Sequence, residues 1–130
     1  MHLSRSRLEN MTWKERWVYL VRGYDAEKLR KFNLFHRNNP QIFEALEDKA
    51  VEQMDGGWVR SSVWLILNII RSEPGSTFDP HSEFKISNDY FALYARMLIA
   101  KQPRFANWIE IERLKGQKAL DYSDDSFGGR

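Results

Sequence analysis

The chain has 130 residues, 42% of them hydrophobic and 14% aromatic, with five Trp, eight Phe and no Cys. That length suits one domain, the aromatic share can fill a core without staples, and the missing thiols exclude disulfide frameworks and thiolate zinc sites. A net charge of +2 hides a division: residues 1–37 hold nine Lys/Arg against four Asp/Glu, residues 38–75 three against six, residues 76–120 seven against five, and the last ten residues one against three.

Arg5 and Arg7 interrupt the start of the chain, which lacks the apolar stretch of a signal peptide. The longest apolar run, 63–70, is broken by Asn68 and is too short to span a bilayer. The expected compartment is the cytoplasm, and no membrane partner is expected.

In chain order, residues 1–10 are polar and read as a loose arm. Residues 11–21 place Trp13, Trp17 and Leu20 at helical spacing, with Lys14, Glu15 and Arg16 on the other side. Thr12 with Glu15 three residues on forms a capping-box pattern, and Gly23 is a C-terminal stop. A second helix is predicted over 25–35, with Asp25 at its start and Lys28, Arg30 and Lys31 further along. Residues 36–39 read as a break, and Asn39-Pro40 as the cap and first residue of a helix over 41–54. That helix buries Ile42, Phe43, Leu46, Ala50 and Met54, exposes Glu44, Glu47, Asp48 and Glu52, and ends at Gly56-Gly57.

Ser61 or Ser62 then caps a helix running to Arg71. Being apolar almost all round, it is expected to be the central buried helix. Residues 74–82 read as a loop and 84–86 as a short strand. Ser87 or Asn88 caps a helix over 89–102 whose core face is Phe91, Tyr94, Ala95 and Leu98. Residues 108–114 (WIEIERL) alternate apolar and charged residues, as an edge strand does, and would pair with 84–86. From Lys115 the chain turns polar; 116–130 reads as a flexible polar tail, and 121–130 within it as disordered.

Helix, turn, helix, short strand, helix, strand is the element order of a compact winged helix, in which one helix lies in the major groove and a strand pair forms the wing. The expected fold is therefore mostly α (α+β): about five helices with a short two- or three-stranded antiparallel sheet. Residues 1–35 would be an arm with helices, 36–115 the winged-helix-like core, and 116–130 the tail.

The block from Glu83 to Tyr90 (EFKISNDY), then Tyr94-Ala95-Arg96, Pro103, and Trp108 to Arg113, resembles a pattern shared by uncharacterised small phage and prophage proteins. Asn39-Pro40-Gln41-Ile42-Phe43 matches the start of their first common helix, and the resemblance spans roughly residues 36–114. Ser87 stands where those proteins often have a second Asn, and Trp108-Ile109 stand for their paired Phe. The resemblance implies phage origin and a role in the cytoplasm of an infected host.

Three constellations could carry function. Around the start of helix 89–102, Lys85, Ser87, Asn88 and Tyr90 could meet DNA. A helix N-terminus offers free N–H groups to phosphate, Asn can bond adenine bidentately, and Tyr can contact phosphate or stack. Arg96 is expected on the side of Asp89 and Leu93, within reach of the DNA backbone, with Lys101 and Arg104 at the wing base. The plainer reading makes Ser87 or Asn88 only a cap, packs Tyr90 into the core and leaves Lys101 and Arg104 on a solvated turn. Arg5 and Arg7 could enter a minor groove as a basic arm does. Trp13 and Trp17 with Arg16 are either core or, on a loosely packed helix, a protein-binding hot spot.

The three histidines, His2, His36 and His81, have no metal-ligand spacing, and no positioned acid–base pair is visible. The expectation is a non-enzymatic protein with no metal and no cofactor. It would bind double-stranded DNA in regulation or DNA handling. The alternative is a protein–protein module that binds or inhibits a host factor through Trp13, Trp17 and the acidic face of 41–55. Charges at Glu110, Glu112 and Arg113 discourage edge pairing and favour a monomer over a dimer.

Overall fold

The computed structural model describes residues 2–74, 88–112 and 114. Over them the chain forms six α-helices, α1 (Arg5–Glu9), α2 (Trp13–Val21), α3 (Ala26–Asn38), α4 (Pro40–Asp55), α5 (Val63–Ser72) and α6 (Asn88–Lys101), followed by a 3-10 turn at Pro103–Phe105. The expected strand 84–86 and the tail 116–130 lie outside the described residues.

Local chemistry sets the starts of three helices. Glu15 N–H donates to Thr12 Oγ1 at 3.1 Å, and Thr12 N–H donates to the Glu15 carboxylate at 2.8 Å, completing the capping box at α2. Asp25 accepts from Lys28 N–H at 2.9 Å to start α3, and Ser62 accepts from Leu65 N–H at 3.1 Å to start α5. The predicted break at 36–39 shrinks to one residue. α3 continues to Asn38, and Asn39 both ends it and precedes Pro40. Its side-chain amide donates back to Phe35 C=O at 2.9 Å instead of capping α4.

The expected antiparallel sheet, and with it the winged-helix-like arrangement, is not what the described residues form. Among the described residues there is no strand, and the one β contact is an isolated parallel bridge between Ser61 and Ile109. Ser61 N–H donates to Trp108 C=O at 3.0 Å, and Glu110 N–H donates to Ser61 C=O at 2.8 Å. The alternation in 108–112 is real: Trp108 and Ile109 are buried, Ile111 is half-buried, and Glu110 and Glu112 are exposed. It records one side of an extended segment lying on helices rather than a strand paired into a wing.

The central helix is α6, not α5. Every residue from Ala92 to Ala100 is buried, while Trp64 on α5 is 55% exposed. Ala92, Ala95 and Ala100 let neighbours approach closely, and α2, α5 and the 3-10 turn all pack on α6. Leu20, Phe32, Ile42, Leu46, Ile66, Leu93, Leu98 and Ile99 fill the core around it. Full burial of each such side chain contributes about 1.5–3 kcal/mol relative to exposure.

The N-terminal segment is tied down rather than loose. Leu3 and Leu8 are buried, Leu3 N–H donates to Asn107 Oδ1 at 2.7 Å, and Asn107 Nδ2 donates to Leu3 C=O at 2.7 Å. Asn107 holds φ at 65° to make this reciprocal pair, a conformation Asn tolerates better than most residues.

Candidate functional site

Of the described residues singled out around α6, Arg96 turns into the core and Tyr90 packs against aromatic side chains. Arg96 is fully buried and donates to Leu20 C=O at 3.1 Å, Ala92 C=O at 3.0 Å and Glu112 C=O at 2.8 Å. A residue predicted to reach DNA instead ties α2, α6 and the C-terminal segment together. Tyr90 is half-buried, its ring 5.2 Å from Phe32 and 5.3 Å from Phe35, so the packing reading describes it. Arg104 lies over the Phe105 ring and 3.7 Å from the Asp55 carboxylate. Lys101 is exposed, with its ammonium 3.6 Å from the centre of the Trp13 ring. Asn88 opens α6, and Lys85 and Ser87 lie outside the described residues.

The N-terminal candidates separate in the same way. Arg5 is exposed and pairs with Glu9 at 3.4 Å, and Arg7 is half-buried within α1; a tethered helix replaces the free arm that a minor groove would need. Of the proposed protein-binding patch, only Trp13 is open, at 41% exposure. Trp17 is half-buried and stacks on Phe32 at 6.1 Å. Arg16 is buried, donating to Ala100 C=O at 2.7 Å, to Leu8 C=O at 2.9 Å and to Met11 C=O.

A different basic surface is assembled by α2, a four-residue turn and α3. Gly23 takes φ 80° in that turn, where a side chain would be strained. Tyr24 Oη donates to Asp89 at 2.7 Å, which fastens the turn to α6; burial, then this bond, pushes the phenol well above its ordinary pKa. α3 packs inward through buried Phe32 against Trp17, Tyr90 and Tyr94. Outward it presents Arg30, Asn33, Leu34 and Arg37, all exposed, which with Ala26 and Leu29 line a groove of about 500 Å³. These positions recur at three- and four-residue steps and so share one helix face. Exposed Lys28 and Lys31 flank it, and Glu27 is the only acidic residue of α3.

Glu27 contacts Arg30 at 2.6 and 3.0 Å, and this pair holds the Glu27 carboxyl below its usual pKa. Both side chains are exposed, so the pair is weak and salt-screened, and Arg30 can exchange its carboxylate for another anion. The sequence signal for this face was the charge excess in residues 1–37. Periodicity alone did not say which cations α3 would turn outward.

A second groove of about 580 Å³ runs between 60–62 with Leu65 on one side and 107–111 on the other. Close to it in sequence, Trp58 is 44% exposed, Val59 87% and Trp64 55%. Arg60 and Glu110 both line it, both are exposed, and neither takes part in an ion pair among the described residues. Neither groove brings together a nucleophile and a base.

Among the described residues no helix is long and apolar enough to cross a membrane. Protein-family models, curated proteins and solved structures were compared with the chain, and none matches it.

Proposed function

We propose that the chain is a double-stranded DNA-binding protein that sets α3 against the duplex. The observation that carries this reading is the outward face of α3, where Arg30, Asn33 and Arg37 share one open groove. α3 follows α2 across a four-residue turn containing Gly23, the element order of a helix–turn–helix, and in DNA-binding proteins of that design the second helix enters the major groove. Arg suits guanine, Asn suits adenine, and a small apolar contact suits the thymine methyl. Lys28 and Lys31 supply the phosphate contacts that dominate affinity.

The test is fluorescence anisotropy with a mixed-sequence duplex at increasing salt. With three or four cations engaged, the logarithm of affinity falls against the logarithm of salt with a slope of roughly −3. Arg37→Ala should weaken binding and reduce that slope by about one if it contacts phosphate, or relax sequence preference if it contacts a base. No salt-sensitive binding at low ionic strength contradicts the proposal, as does Arg37→Glu binding as well as the unaltered chain.

A further inference from the structure

Trp13 gathers two cations from two different helices. The Lys101 ammonium, at the end of α6, lies 3.6 Å from the centre of its ring, and the Lys14 ammonium of α2 lies 6.0 Å from the same centre. All three residues are exposed, and neither lysine takes part in an ion pair among the described residues. The neighbouring carboxylate, Glu15, is engaged by Thr12 N–H. Arg16 fixes the junction of the two helices by donating at 2.7 Å to the C=O of Ala100, the residue before Lys101. An ammonium seated on a ring keeps N–H donors on its open side for an anionic oxygen.

The pair stands beside a flank of α3 that has no cation of its own. Successive helix residues are turned by roughly 100°. Around α3, Leu34 and Lys31 therefore lie to one side of the face formed by Arg30, Asn33 and Arg37, while Leu29, His36 and Phe32 lie to the other, with no Lys or Arg among them. Trp17, one turn on from Trp13 along the same side of α2, stacks on Phe32 at 6.1 Å. Burial, then Lys101, hold His36 below its ordinary pKa, which puts Lys101 close to it. A helix seated in a major groove about 12 Å wide has a sugar–phosphate strand at each flank. We infer that Lys14 and Lys101, seated on Trp13, are the phosphate contacts on the flank of α3 that lacks cations, so that both strands beside the groove are held. This rests on the duplex reading of α3 and adds to it contacts from α2 and the end of α6.

Anisotropy of a mixed-sequence duplex at increasing salt, with variants of the full chain, tests this. Two further phosphate contacts take the slope of log affinity against log salt from the roughly −3 of the α3 face to roughly −5. Lys14→Gln and Lys101→Gln each weaken binding and reduce the slope by about one, and the double variant reduces it by about two. Sequence preference stays as it was, because phosphate contacts carry none, and the far-ultraviolet circular dichroism is unchanged. Arg60→Gln, at an exposed cation of the other groove, leaves the slope as it was. Lysine variants that keep the full slope while Arg37→Ala still weakens binding overturn the inference and leave the reading of α3 in place. An Arg60→Gln effect as large as that of Lys101→Gln also overturns it, since binding would then follow total charge alone. No salt-sensitive binding by the unaltered chain removes both.

Discussion

Arg16 and Arg96 are buried guanidinium groups that donate to backbone carbonyls, Arg16 to those of Leu8, Met11 and Ala100 and Arg96 to those of Leu20, Ala92 and Glu112. Their rigid fork of donors suits this use, and two of their acceptors, Ala100 and Leu20, lie in the last turns of α6 and α2, where a cation also meets the negative end of the helix dipole. Replacing Arg96 by Ala removes three charge-assisted bonds and is expected to cost about 3 kcal/mol or more, read as a shift in denaturant midpoint. Duplex affinity of the remaining folded protein should stay unchanged; a selective loss of DNA binding with full stability would return Arg96 to the contact surface. His36 makes a second prediction at this scale. It sits among Phe32, Phe43 and Tyr94, with ring centres 5.7 to 6.5 Å away, and burial, then nearby Lys101, hold its imidazole below the ordinary value of 6.5. The unfolded chain takes up that proton near the ordinary value and the folded chain resists it. His36 therefore contributes stability that is whole above pH 6.5 and is lost as pH falls through the depressed folded value. His36→Phe should remove that part of the pH dependence, and identical curves for the two proteins would count against it.

At the scale of elements, capping is where sequence and structure agree most closely, because a cap depends on a few neighbouring residues. Thr12→Ala removes the Oγ1 acceptor of the α2 box while keeping the backbone N–H that meets Glu15, and should cost about 1 kcal/mol, measured by chemical denaturation; an unchanged midpoint would show that the hydroxyl half of the box contributes nothing. Longer-range features were harder to read. Apolar content suggested α5 as the central helix, yet the alanines of α6 decide which helix its neighbours can surround. The alternation at 108–112 was legible as a one-sided segment, but no local pattern says whether such a segment pairs with a strand or lies on helices. Arg96 in Tyr-Ala-Arg looks like any solvated helix cation until Leu20 and Glu112 are seen to converge on it. The face of α3 was half legible: its cations were plain in the sequence, while the orientation of Arg30, Asn33 and Arg37 away from Phe32 required the packed structure.

Across the whole molecule, a net charge of only +2 makes overall attraction to nucleic acid weak, so duplex binding has to come from local concentration of charge on α3. The outward residues there touch little of the core, which lets them be altered without unfolding the protein. The most direct measurement is a map of backbone amide shifts in the nitrogen–proton correlation spectrum as a mixed-sequence DNA duplex is added at low salt. The account predicts the largest shifts from the turn at Gly23 through α3 to Arg37, with small ones in the buried stretch from Ala92 to Ala100. Shifts absent from α3, or confined to the groove at 60–62 and 107–111, would contradict it.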